Sequence, residues 1–470
     1  MKKIIEKRVP VTLCENPVPI VESEIPVTTK EDYLGRIESL WAMPQAQEYN
    51  VIVVYGDREH FSNILYFTGY DPRFEEALLI LKRGEKPVIL VGNEGMGYVP
   101  KIPYDIKAVL FQTFGLMGQP NEDSEPLEDI FRREIGGTNG KIGLAGWKSY
   151  RDDLFNLEGC VTDVPHYITE TLRIAADGRE ICNAVDLLMD NEYGLRHHAS
   201  AKEIIQFELQ GTKISRGVYR ALKNMKEGMS EIEVSRLLEI DGEPECTHPN
   251  VNFGDAHAAL GLNSPEYHSR LAYGSPAGAG YGMRGSLVHK MGMFIRTTED
   301  LPECRRHYVE EVAKPYFSSV AGWYEMMKPG TEFGEIYDMV EKELGFEKYN
   351  IVLNPGHLIH TDEWTNSPFV KGSKVKVRSG MVLQCDYTVC FKDPYLPCHI
   401  EDGLAIGNEA LHNEIKEMSP SCYERIKARR KFMTEVLGIN LPEEVLPLSD
   451  LPAVCFPYMA DTSVVLAVEK

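Results

Sequence analysis

The stretches GMVLQCDYTV (380–389) and CHIEDGLAIG (398–407) each set ionisable residues inside an otherwise apolar run. Runs of this length and composition read as buried strands. FKDPYLP (391–397) joins them, with Pro394 and Pro397 closing the ladder. A hairpin centred near Lys392-Asp393 sets Asp386 opposite Glu401, and side-chain alternation adds Thr388, Cys390 and His399 to that face. Two carboxyl groups facing one another on a mostly buried sheet repel, so one is expected to keep its proton unless a cation or an imidazolium is close by. The plainer alternative is an edge hairpin with both acids in water. The apolar flanks MVL and LAI speak against it.

Just upstream, NPGHLIHTDEW (354–364) carries His357, His360, Asp362 and Glu363 beside a glycine. An HxxH pair alone is a weak signal, because either ring can be a satisfied core residue. Its proximity to Asp386 and Glu401 strengthens it. The chain has no P-loop, HExxH, GxSxG or CxxC. GYGMRG (280–285) fits GxGxxG, but it precedes the strand-like SLVHKMGMFI instead of opening a helix, so it reads as a flexible loop and not a dinucleotide site. Cys385, Cys390 and Cys398 near the hairpin read as small apolar residues.

Working outward, residues 1–30 form a Pro- and Val-rich extended arm, expected to pack on a neighbouring surface or subunit. From 31 to about 160 helical spacing alternates with short buried strands, among them VIVVYG (51–56), two strands in ALLILKRGEKPVILVG (77–92) and KIGLAG (141–146); YRDDLFNLE (150–158) reads as helix. That alternation predicts a layered α/β domain. The segment 202–226 keeps one apolar face through Ile204, Ile205, Phe207, Leu209, Ile214, Val218 and Leu222, a long amphipathic helix. Ser230 and Glu233 make a capping box for the next one. Helices over 304–327 and 332–344, the second capped by Thr331, alternate with the strand-like runs, giving an α+β C-terminal half. At 470 residues two domains are expected, 1–190 with the arm and 191–470.

The formal net charge of −21 works against phosphate-backbone binding, so no nucleic-acid partner is expected, and a cationic or neutral small substrate suits the field better. Ten scattered cysteines form no disulfide framework, and no run approaches the roughly 18 apolar residues of a membrane span. A soluble, cytoplasmic protein without a membrane partner is the expectation.

These motifs resemble the creatinase / prolidase / Xaa-Pro aminopeptidase family. GMVLQCDYTV is similar to its GMV-L-x-x-E strand, with Asp386 where a glutamate ligand is usual; HIEDGLAIGNEAL resembles its R-I-E-D strand, with Glu401 at the last metal-ligand position and His399 where an Arg is common. NPGHLIHTDEW resembles the glycine–histidine motif with His357 at the metal-binding position, and EYHSRLAYG (266–274) the segment whose histidine faces substrate, here His268. KNMKEGMSEIEVSRLL, MMKPGTEFGEIYDMV and NILYFTG (63–69) follow in the family's order, so the resemblance spans about 31–410. It implies a creatinase-like N-terminal α/β domain, a C-terminal pita-bread domain and a homodimer.

The family's peptidases bind two metals through two Asp, one His and two Glu. The strand that supplies the paired aspartates corresponds to RGSLVHKMGMFIRT (284–297), where Met291 stands at the first position and no acid precedes Arg296-Thr297; Glu299 or Asp300 are candidates for displaced ligands. The expectation is therefore no metal, or a single Mn, Zn or Fe on His357, Asp386 and Glu401. Three readings follow. The first is a hydrolase of a small C–N-bonded substrate, with His268, His357, His360, His399 and Glu401 catalytic and Asp386 and Glu363 holding substrate. The second is a metal-dependent Xaa-Pro aminopeptidase or prolidase acting on short peptides through replacement ligands. The third is a non-catalytic pita-bread binding or scaffold protein.

Overall fold

The computed structural model describes residues 1–155, 159–258, 261–392 and 394–470. Two compact units divide the chain, Val27–Arg196 and a second made of Met1–Pro26 with His197–Lys470. The first expected boundary, near 190, thus lies at 196/197, and the arm groups with the C-terminal unit. The reason is a strand pairing: β1 (Ile4–Arg8) runs antiparallel to the strand Val464–Val468.

The Val27–Arg196 unit holds a six-stranded sheet of β2 (Tyr49–Gly56), β3 (Ala77–Lys82), β4 (Val88–Val91), β5 (Lys107–Leu110), β6 (Lys141–Ala145) and β7 (Ile181–Asn183), in the order β5-β4-β3-β2-β6-β7. β2 and β3 are buried almost end to end, as strands covered on both faces must be. Two apolar clusters cover it, one including Ile52, Val54 and Leu79, the other Val51, Val53 and Leu78. The helix expected over 150–158 is a single 3-10 turn at Asp152–Leu154, with 156–158 outside the described residues.

The second unit is built on β8 (Glu245–Phe253), β9 (Pro276–Met283), β10 (Ser286–Met293), β11 (His357–Leu358), β12 (Val382–Cys385), β13 (Val389–Lys392), β14 (Tyr395–Ile406) and β15 (Val445–Pro447), with β16 (Val464–Val468) pairing β1. Strand order is β11-β12-β14-β10-β9-β8, and β13 and β15 also pair β14. GYGMRG is no loop. Gly280 and Gly282 lie in buried β9, and Gly285, at φ +93°, completes the tight β9–β10 turn.

The helix Ala201–Asn224 crosses this sheet with Ile204, Ile214, Val218 and Leu222 buried, its capping box made by Ser200 and Glu203. Ser230 and Glu233 cap Glu231–Ser235 as expected. The 304–327 helix is shorter and starts with a π turn, Val309–Ala313, before Lys314–Met326. Thr331 does not cap its successor, whose first flanking residue is Glu332. Glu208, on the long helix, is fully buried between Arg425 and Arg429, which also reaches Asp450 at 2.8 Å. No helix of the described residues is long and apolar enough to cross a membrane.

Candidate functional site

β14 is the spine of the site. Its pairing with β12 ends at Cys385↔Asp402, and its pairing with β13 starts at Val389↔Cys398 in unshifted register. Asp386, one residue past β12, therefore lies across from Glu401, the register anticipated from spacing. Asp393, at the anticipated hairpin centre, is outside the described residues. On the other side of β14, His289 of β10 pairs with Glu401 and Met291 with His399. Paired residues share a face, so Asp386, Glu401, His399, His289 and Met291 project together.

His357 reaches the same place from β11, where its backbone pairs with Gln384. Gly356 before it has φ +121°, and a Cβ there would come within 2.8 Å of the Gln384 carbonyl oxygen, so the approach needs glycine. The ring of His357 is fully buried and stacks on Trp364 at 4.0 Å between centroids. Its Nδ1 donates to the Leu358 carbonyl at 3.3 Å, which turns Nε2 toward the acids. Nε2 lies 3.2 Å from Glu363 Oε1 and 3.6 Å from Asp386 Oδ2. Asp386 Oδ1 accepts from His399 Nε2 at 2.8 Å, and His399 Nδ1 is 2.8 Å from His289 Nδ1.

Buried charges push these groups apart in acidity. Burial, with Asp386, Glu363 and Asp402 nearby, raises the Glu401 carboxyl well above the usual range, which favours its protonated form. Burial also works against the Asp386 anion, but His399, His357 and His289 outweigh it and hold this carboxyl below its ordinary value. Burial opposes charge on His357, yet Glu363 and Asp386 raise it above the ordinary imidazole. Burial with His399 beside it drives His289 well below.

One ligand atom each from His357, Asp386 and Glu401 lies within 4.8 Å of the others, a donor set of the right types and spacing for one divalent ion.

Solved structures share this architecture. A prolidase from Thermococcus sibiricus superposes with a TM-score of 0.62, covering 80% of this chain and 94% of its own at 17% identity. An Xaa-Pro dipeptidase from Bacillus anthracis gives 0.61 over 80% and 96%, at 13% identity. An X-Pro aminopeptidase from Thermotoga maritima gives 0.60 over 79% and 95%, at 12% identity. This chain has the pita-bread fold of the prolidases and X-Pro aminopeptidases. No protein-family model and no curated protein sequence matches it.

Within this pita-bread sheet, β9 and β10 offer no further anionic ligand. Their site-facing positions are Gly278, Gly280 and Gly282 on one strand and Leu287, His289, Met291 and Met293 on the other. Glu299 and Asp300 do not replace the aspartates: Glu299 is exposed, and Asp300 pairs with Arg296 at 2.9 Å. Asp402, one residue from Glu401, points to the opposite face, where it pairs with buried Lys290 at 2.5 Å and accepts from Ser449 and the Ala453 N–H.

Five of the seven residues singled out from sequence come together: His357, Asp386, His399, Glu401 and Glu363. Two do not. His360 is three residues from His357, an odd spacing that turns it to the other face; its Nε2 is 3.3 Å from Glu203 and its ring packs edge-on against Phe207. His268 is exposed, because Glu266 N–H bonds Glu231 and Arg270 bonds Glu233, running the segment along the helix Glu231–Ser235 with the imidazole outward. Sequence reasoning missed His289 and Trp364. Alternation in SLVHKMGM already puts His289 on the face of Met291.

Proposed function

We propose that this protein is a hydrolase that cleaves a C–N bond in a small molecule or short peptide, with Glu401 and Asp386 as its acid–base pair and at most one divalent ion. The observation that carries the reading is the register that sets Asp386, bonded to His399 at 2.8 Å, across from Glu401 in one buried cluster with His357, surroundings that displace the two carboxyl groups in opposite directions. Two titratable groups with acidities driven apart supply one proton donor and one acceptor at the same pH. Glu401 retains a hydrogen to give to a leaving nitrogen. Asp386 stays ionised, held by His399, and with His357 can draw a proton from water as it attacks the substrate carbon. Trp364 and the burial of His357 exclude bulk water from that side.

His357, Asp386 and Glu401 would hold a single Mn, Zn or Fe ion, which would displace the Glu401 proton and supply Lewis acidity in place of that group's acid role. A second ion lacks anionic ligands, since β9 and β10 provide glycine, His and Met instead. Elemental analysis of the purified protein, read beside turnover of small amides and Xaa-Pro dipeptides before and after chelation, tests this. One ion or none per chain with turnover is the expected result; two ions per chain overturn it.

The names of the structurally similar proteins favour a second reading, a metal-dependent Xaa-Pro peptidase. Turnover confined to Xaa-Pro dipeptides and abolished by chelation supports that alternative. The missing anionic positions on β9 and β10 favour the non-catalytic scaffold, which full retention of every ligand interaction in Glu401→Gln would support. A homodimer is part of the proposal, and sedimentation of the purified chain checks it.

A further inference from the structure

The N-terminal arm is fastened over a chain of buried ion pairs. Arg425 reaches Glu208 with two nitrogens, at 2.8 and 2.6 Å. Arg429 reaches Glu208 at 2.6 Å and Asp450 at 2.8 Å, and Arg216 meets the other oxygen of Asp450 at 2.8 Å. Three guanidiniums thus share two carboxylates. The next acid, Glu24 of the arm, has its Oε2 engaged by Ser421 N–H and Ser419 Oγ at 2.7 and 3.2 Å. The arm is held here by its carbonyls, since Val18 accepts from Arg216 and Pro19 from Arg425, both at 2.8 Å.

A cavity of about 290 Å3 lies between the arm and the helix Pro420–Lys431. Arg425 and Asp450, 4% and 3% exposed, are its buried charged lining. Leu13, Ala428, Phe432 and Val436 supply apolar walls, and the exposed Lys431 also borders it. One wall, Phe432–Val436, is a π turn, a local widening of a helix that is frequent at functional sites. Hydrogen counting leaves Arg425 one free donor. Of the five N–H groups of a guanidinium, one on Nε and one on Nη2 bond Glu208, and two on Nη1 bond the Pro19 carbonyl and Ser421 Oγ. The fifth, on Nη2, has no acceptor among the described residues.

We propose that this cavity binds a small organic anion, a carboxylate on a compact apolar body, with a carboxylate oxygen on the remaining N–H of Arg425. The size suits such a ligand. An apolar cavity of about 150 Å3 takes a benzene ring, so roughly twice that volume takes a phenyl-sized body with its carboxylate. The walls favour the body, and the excess guanidinium charge favours an anion over a neutral molecule of the same shape. Binding here does not depend on the reaction proposed at Glu401.

The test is calorimetric titration of the full chain with phenylacetate and, separately, 2-phenylethanol, which keeps the ring and lacks the charge. Hydrogen exchange on the same samples locates the bound molecule. The expected result is saturable phenylacetate binding, about tenfold or more tighter than the alcohol, the worth of a hydrogen bond to a charged group. Exchange should slow at residues 12–18 and 428–436. Ala428→Leu, which extends a side chain into the cavity, should weaken binding about tenfold. Should that variant fail to fold, Lys431→Gln changes an exposed residue and should weaken binding about two- to fivefold. No binding, equal affinity for both compounds, or affinity unmoved by either variant overturns the site. So does protection centred on residues 384–401, which would place phenylacetate at the reaction centre instead.

Discussion

Asp386 and Glu401 face each other across the paired strands of the central sheet, and the same buried surroundings that lower the pKa of one raise that of the other. His399 makes the difference: it donates to Asp386 at 2.8 Å, whereas Glu401 has carboxyl neighbours on two sides, Asp386 and Glu363. At neutral pH, infrared difference spectroscopy between the parent and Glu401→Gln should therefore show loss of a protonated-carboxyl C=O stretch. An unchanged spectrum in that region would show that Glu401 is ionised.

His357→Ala should remove divalent-ion binding while leaving the fold intact, since the ring is one of only three donors in the described cluster. Calorimetric titration with Mn2+ or Zn2+ should give no more than one ion per parent chain. In the variant the affinity should fall by at least about a hundredfold, the upper end of what losing even an indirect partner of a metal site costs.

Lys290→Met should cost about 3–5 kcal/mol, because it strands the buried Asp402 carboxylate without its cation. Urea unfolding monitored by tryptophan fluorescence measures this. A loss under about 1 kcal/mol would show that Ser449 and the Ala453 N–H suffice to hold Asp402.

Acid should destabilise the C-terminal unit through Glu208. Burial opposes its charge, yet Arg429 and Arg425 hold its carboxyl below the ordinary value. A folded-state pKa below the unfolded one means the stabilisation is complete above the unfolded value, about 4.3, and drains away as pH falls through the folded one. Melting temperature should therefore fall less steeply below about pH 4.3 in Glu208→Gln than in the parent, although the variant is less stable at pH 7. Parallel curves would assign the acid sensitivity to other carboxylates.

The parts of this molecule that declare themselves in sequence are those governed by periodicity and local capping. The amphipathic stripe from Ile204 to Leu222 is a helix, Ser230 and Glu233 do form their box, and the spacing of Asp386 and Glu401 about a turn fixed their register. Residues whose direction depends on distant partners were less legible. His268 looked like a site residue by its neighbours, but contacts to Glu231 and Glu233 turn it outward. His360 shares a motif with His357 and lies on the opposite face, against Glu203 and Phe207. The glycines of β9 read as a loop because nothing local shows that His289, on the next strand, occupies the space their missing side chains leave.

The pairing of β1 with β16 gives the chain an unusual order of completion. Residues 27–196 are contiguous and can gain their structure while synthesis continues, since domains emerging first generally fold first. The other unit pairs one strand with a partner some 455 residues further along the chain, so the first strand's backbone groups must wait, unpaired, until that partner has been made. Trimming the first eight residues should accordingly show itself at the far end of the chain, as earlier hydrogen exchange of Val464–Val468.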